Sequence, residues 1–98
     1  MIRVELTDAA AEDVLAASLA YEMDTPGLGF RFEEELDAAL SRVAERPLQY
    51  AEISPLVRRV LLHDFPYCAY FTLIGDGARV FAVLHQHRDP STWKTRVP

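Results

Sequence analysis

Hydrophobic and polar positions change period several times along the chain, and each change marks an element. Ile2 to Leu6 alternates, with Ile2, Val4 and Leu6 on one side and Arg3 and Glu5 on the other, which is the period of a half-buried strand. Thr7 or Asp8 then offers a side-chain oxygen to the free amides of a helical first turn. Glu12 and Asp13 lie early in that helix, where negative charge suits its dipole. Ala11, Val14, Leu15, Ser18 and Tyr21 follow a three-four spacing and predict its buried stripe. The helix is expected to fade near Met23.

Asp24-Thr25-Pro26-Gly27 breaks the pattern and restarts it. Thr25 offers a cap, and Pro26 suits a first helical position, where its missing amide would be unbonded anyway. A second helix is predicted from there to about Glu45. Phe32, Leu36, Ala39, Leu40 and Val43 form its apolar stripe, while Glu33, Glu34 and Asp37 point elsewhere. Pro47 ends it. So short a break between two helices predicts an antiparallel hairpin.

Leu48 to Leu56 reads as a loop between Pro47 and Pro55. Val57 to His63 alternates again. Val57, Arg59, Leu61 and His63 share one face, and Arg58, Val60 and Leu62 share the other. Alternation leaves open which of these faces is inward. Cys68 to Ile74 and Val80 to Leu84 are nearly all apolar, rich in aromatic and branched residues, and joined by Gly75-Asp76-Gly77. Runs of that length predict strands, and apolar residues on both faces place them in the middle of a sheet. A polar tail carrying His, Arg, Asp and Trp follows to Arg96. No repeat or domain boundary is visible, so residues 1–98 read as one domain. Its predicted class is α+β: an N-terminal strand, a helical hairpin, then a three-stranded antiparallel meander, with the helices on one face of the sheet.

Composition narrows the setting. At 98 residues the chain holds one hydrophobic core, and no run approaches the roughly 20 apolar residues of a membrane helix. The first ten residues lack the charged-then-apolar pattern of a secretory signal, so a cytoplasmic location is expected. Cys68 is the only cysteine, set between Tyr67 and Ala69 in an apolar strand, and reads as buried and structural. The three histidines and scattered carboxylates show no ligand spacing, and no phosphate-cradling glycine loop is present. No metal or cofactor is expected.

The net charge of −5 hides a division. Residues 1–56 carry 4 Arg against 12 acids, a net −8, and residues 57–98 carry 6 Lys or Arg against 3 acids, a net +3. Such asymmetry suits either a charged partner for one face or helices with solvated acidic faces. The acidic total disfavours tight nonspecific nucleic-acid binding, which depends on neutralising phosphates.

An ordered set of motifs runs the length of the chain. Leu6-Thr7-Asp8-Ala9-Ala10 enters the first helix, and Pro26-Gly27-Leu28-Gly29-Phe30-Arg31-Phe32 enters the second. Then come Arg46-Pro47 with Tyr50, Val57-Arg58-Arg59, Phe65-Pro66-Tyr67, and Val83-Leu84-His85 leading into His87-Arg88-Asp89-Pro90, with Trp93 and Arg96 closing. This set resembles the ParE/RelE superfamily of toxins from bacterial type II toxin–antitoxin modules, often labelled plasmid stabilisation proteins. The resemblance implies a cognate antitoxin wrapped over the helical hairpin and sheet, in a hetero-oligomer. It also implies one of two targets. ParE-like toxins inhibit DNA gyrase without known catalytic residues of their own, whereas RelE-like toxins cut messenger RNA, usually on the ribosome.

A metal-independent nuclease needs a group to activate the 2′-hydroxyl, cations for the phosphorane charge and an acid for the leaving oxygen. Arg59, His63, His85, His87 and Arg88 are the candidates for that work. Against it, Lys94 is the only lysine and no tyrosine follows Tyr70, whereas RelE-like sequences usually carry several lysines and a terminal tyrosine. The ParE-like reading is therefore preferred, with the nuclease and a non-toxic binding module as alternatives. Candidate contacts for target or antitoxin are Arg58, Arg59, Tyr67, His87, Arg88, Trp93 and Arg96. Structural readings stand beside several of these. Trp93 suits an anchor folding the tail onto the core, Asp89 suits a cap for the segment from Ser91, and Arg58 suits an ion pair with an acid of the second helix.

Overall fold

The computed structural model describes residues 1–98. Its elements are β1 (Arg3–Leu6), α1 (Asp8–Asp24), α2 (Leu28–Glu45), β2 (Glu52–Ser54), β3 (Val57–Leu61), β4 (Tyr67–Ile74), β5 (Gly77–His85) and α3 (Ser91–Lys94), with a single 3-10 turn at Pro47–Gln49. The expected order of strand, helical hairpin and meander is present. Two pieces were not expected. Leu48 to Leu56 is not all loop, because Glu52–Ser54 pairs antiparallel with β3, and the tail closes in the short helix α3. The sheet has five strands in the order β1-β5-β4-β3-β2. β1 lies parallel to β5, and the remaining pairs are antiparallel.

Burial of both faces explains why β4 and β5 read as continuous apolar runs. α1 lies over β5 and α2 over β3. Between helices and sheet, Phe32, Leu36, Ala39 and Val43 meet Val60, Ala69, Phe71, Val80 and Val83. On the opposite face, Val57, Cys68, Tyr70, Phe81, Ala82 and Leu84 form a second cluster closed by Trp93 of α3. A bulge between Tyr70 and Phe71 shifts the β4–β5 register, which lets the adjacent Phe81 and Ala82 both face the second cluster. The β4–β5 link is a two-residue turn, Ile74 opposing Gly77, and Gly75 supplies the positive φ of 61° that it requires.

The helical hairpin corrects two expectations. Thr7 does cap α1, accepting from the Ala10 amide at 3.2 Å, but Thr25 closes α1 and Gly27, at φ 89°, begins α2. The Glu22 carboxylate takes the place of a side-chain cap, accepting from the amides of Gly27 at 2.9 Å and Gly29 at 3.1 Å. Negative charge at a helix start is favourable there. The buried stripe of α1 is Ala10, Ala17 and Ser18, with Val14 and Tyr21 half-buried. Leu15 is instead 60% exposed, and Ala11 also faces outward. Alanines on several sides of α1 let the apolar spacing fit more than one stripe; contact with α2 selects the one made of small side chains. At the crossing, a Cβ on Gly29 would lie 2.5 Å from the Ser18 carbonyl oxygen.

Candidate functional site

β3 decides how the basic residues are displayed. Val60 turns under the helices, so the adjacent Arg59 turns outward and is exposed. Register places Arg59 opposite Tyr70 of β4. Trp93 stacks on Tyr70 with ring centroids 5.1 Å apart and planes within 17°, and only 6% of Trp93 remains exposed. The tail that delivers it is fastened at both ends. Asp89 accepts from the Ser91 amide at 2.9 Å, and that hydrogen bond holds its carboxyl below the usual range. Arg96 reaches round the β5 edge to Asp13 of α1 at 2.6 Å. Arg59, Arg88 and Lys94 border the groove that results, about 310 Å³ in volume, with Tyr70 and Trp93 beneath.

Burial first, and then the Cys68 thiol, push the Tyr70 phenol up to about 12 against the opposing pull of the Arg59 guanidinium. Burial also raises the Cys68 thiol, which fits a structural cysteine.

The histidines lie elsewhere. His85 ends β5 opposite Tyr67, on the helix side of the sheet, and meets the Tyr67 ring edge-on at 5.6 Å. Its Nδ1 accepts from the His87 amide at 3.1 Å, which leaves Nε2 to carry the proton in the neutral ring. The two imidazoles are 5.4 Å apart. His85 and Arg88 line a cleft of about 180 Å³ against Ala16, Ala17 and Ala20 of α1. His63 lies beyond the end of β3 and borders a wide depression of about 600 Å³ with Arg42 and Arg59. The five candidate catalytic residues therefore do not gather round one point, although Arg88 borders two of the hollows. Arg59 and Arg88 share the outer groove, and His85, His87 and Arg88 cluster at the end of β5. Arg59 and His85 are on opposite faces of the sheet.

The candidate contact residues divide by exposure. Arg59, His87 and Arg88 are exposed. Tyr67 is half-buried among Tyr21, Phe32 and His85. Arg58 donates to the Tyr50 carbonyl and pairs with Glu52 at 3.5 Å, so its partner is in β2 and not in α2 as expected. Trp93 is the anchor that the tail suggested.

Two features were not expected from the sequence, which placed Leu15 in the buried stripe. Lys94 lies 5.8 Å above the Trp93 ring, and its place in the groove depends on the α3 turn. Leu15, Leu19 and Met23, exposed by 60%, 54% and 87%, form an uncovered apolar stripe along α1. Their four-residue spacing was the available signal, but alanines flank it.

No family model matches this chain, and no curated protein matches it. Among solved structures, a chain of the chromosomal ParDE TA system from P. aeruginosa has the same fold. Its TM-score is 0.76 at 20% identity, over 87% of this chain and 96% of that one. The α+β, ParE-like architecture implied by the ordered motifs is thus the one the chain adopts.

Proposed function

We propose that this chain is the toxin of a type II toxin–antitoxin module, held by a cognate antitoxin, and that it arrests growth by contact with DNA gyrase. The toxin reading is supported by two things together: the ordered motifs, and a fold shared with a chain of a ParDE system. The choice of gyrase over RNA is carried by the dispersal of the candidate catalytic groups. A nuclease gathers base, acid and cations round one phosphate, whereas Arg59 and His85 sit on opposite faces of this sheet.

The antitoxin reading draws on the α1 stripe. Leu15, Leu19 and Met23 follow one helical face with nothing packed on them, and apolar surface of that kind gains roughly 25 cal/mol per Å² when covered. A partner helix or strap laid along it, with apolar residues at matching spacing, is the expected occupant.

Induction of the chain alone in bacteria tests the proposal. Loss of plasmid supercoiling with intact messages is expected, reversed when the partner is co-expressed. Cleaved messages with normal supercoiling would overturn the gyrase part and make Arg59, His63, His85, His87 and Arg88 the residues to mutate singly. Unchanged growth would overturn the toxin reading and leave a binding module.

A further inference from the structure

The charge division seen along the sequence becomes a division across the sheet. Residues 8–45, the two-helix layer, carry 10 acids against Arg31 and Arg42, a net −8. The outer face carries Arg59, Arg88 and Lys94, none of which forms an ion pair. No Asp or Glu lines the groove between them. The neighbouring acids are engaged: Glu52 with Arg58, Asp13, which lines the other cleft of Arg88, with Arg96, and Asp89, in the field of Lys94, with the Ser91 amide. The wide depression on the far side of Arg59 also has no acidic lining and adds Arg42. Ile53 and Arg59 border both hollows, so a single cationic track runs from Arg42 past Arg59 to Arg88 and Lys94.

Cations held together without counter-ions repel one another, and an anion laid between them relieves that repulsion while forming charge-assisted hydrogen bonds. The lining selects which anion. Single-stranded nucleic acid binds such tracks by stacking bases on open aromatic faces as well as by its phosphates. Here the aromatic floor is closed on itself, because Tyr70 and Trp93 stack together and each is at least nine-tenths buried. The helix layer behind the sheet also repels a long polyanion more than a short one. What the track does offer is arginine forks suited to carboxylates, with an apolar side chain, Ile53, exposed by 40% between them.

We infer that this outer track is a docking site for an extended acidic segment of a protein partner, whose carboxylates pair with Arg59, Arg88 and Lys94 while an apolar residue between them covers Ile53. The site is centred on the face opposite α1, with Arg88 at the boundary between that face and the α1 cleft, and it does not depend on which process the chain arrests.

Calorimetry with an octapeptide of alternating Glu and Leu, beside octa-uridylate of equal length, tests this on the full chain. The peptide is expected to bind and the uridylate to bind more weakly. Replacing Arg59, Arg88 and Lys94 together by Gln is expected to weaken the peptide by roughly tenfold or more, with an unchanged circular-dichroism melt, since charge-assisted contacts are lost from exposed positions. Added salt should weaken binding in the native chain and matter little in the triple variant. No peptide binding, equal binding by the triple variant, or tighter binding of the uridylate would each overturn the inference. These outcomes are read without growth arrest, so failure here and failure of the toxin reading are separate results.

Discussion

Arg96 donates to Asp13 at 2.6 Å across 83 residues of sequence, and the same carboxylate oxygen accepts from the Val83 amide at 3.0 Å. β1 ends at Leu6, so the distal half of β5 has no strand beside it on that edge. Asp13 supplies the acceptor a neighbouring strand would have given, and Arg96 balances its charge.

The side chains of Arg96 and Asp13 are 26% and 13% exposed, between a surface pair worth about 0–1 kcal/mol and a buried one whose breakage costs about 3–5 kcal/mol. Asp13→Ala is expected to cost about 2 kcal/mol in urea unfolding, as it strands both partners. Arg96→Ala should cost less, and Asp13→Asn less than Asp13→Ala because the amide oxygen can still accept from Val83. Equal losses for Asp13→Asn and Asp13→Ala would show that the β5 edge does not need that acceptor.

Gly29→Ala sets two effects of opposite sign against each other. Alanine inside a helix gains roughly 0.5–1 kcal/mol over glycine. The new Cβ, however, would lie 2.5 Å from the Ser18 carbonyl and 3.0 Å from the Glu22 Cβ, and forced repacking costs about 1–3 kcal/mol. A net loss is expected, seen as a lower denaturant midpoint. A raised midpoint would mean that the hairpin separates without strain.

Leu56 occupies the second place of the turn between β2 and β3, after Pro55, at φ 63°. Position i+2 of such a proline turn favours glycine, and a side chain there costs roughly 1–2 kcal/mol. Leu56 is 73% exposed, so little packing offsets the strain. Leu56→Gly is expected to raise the thermal midpoint by a few degrees. A lower midpoint would show that the leucine packs in solution.

Tyr70 contributes to the alkaline limit of stability above pH 10, after the buried Cys68 thiol, whose ordinary value is 9.0, has begun to contribute. Its folded value, about 12, stands above the ordinary 10.0 because the phenol is buried, and burial also raises Tyr21. Above pH 10 the unfolded chain releases these protons while the folded chain keeps them, so stability falls as pH rises toward 12. Below pH 10 the stabilisation from the two tyrosines is fully present. Tyr70→Phe should flatten that slope, measured by urea unfolding at several alkaline pH values. An unchanged slope would assign it to other groups.

Much of the fold was legible because local chemistry and burial agreed. Thr7 capped the helix it preceded, Phe32, Leu36, Ala39 and Val43 were buried as their spacing required, and the apolar runs of β4 and β5 became the covered strands. The site was less legible. His85 and Arg59 both end or line strands near the sheet's basic half, yet pairing with Tyr67 and Tyr70 sends them to opposite faces. Lys94 gained its position only through the Trp93–Tyr70 stack.

The sequence by itself determined where the longer strands and helices form, though not β2 or α3, how the acids and bases divide, and that the tail folds back on Trp93. Spacing, capping and turn chemistry act over a few residues, so they can be read from a few residues. Tertiary structure alone decided which side of α1 is buried, that β1 joins β5 in parallel, and that Arg58 meets Glu52. Those choices depend on contacts between distant segments, and where alanines made several stripes equally apolar, only close packing against Gly29 and Ser18 could choose among them.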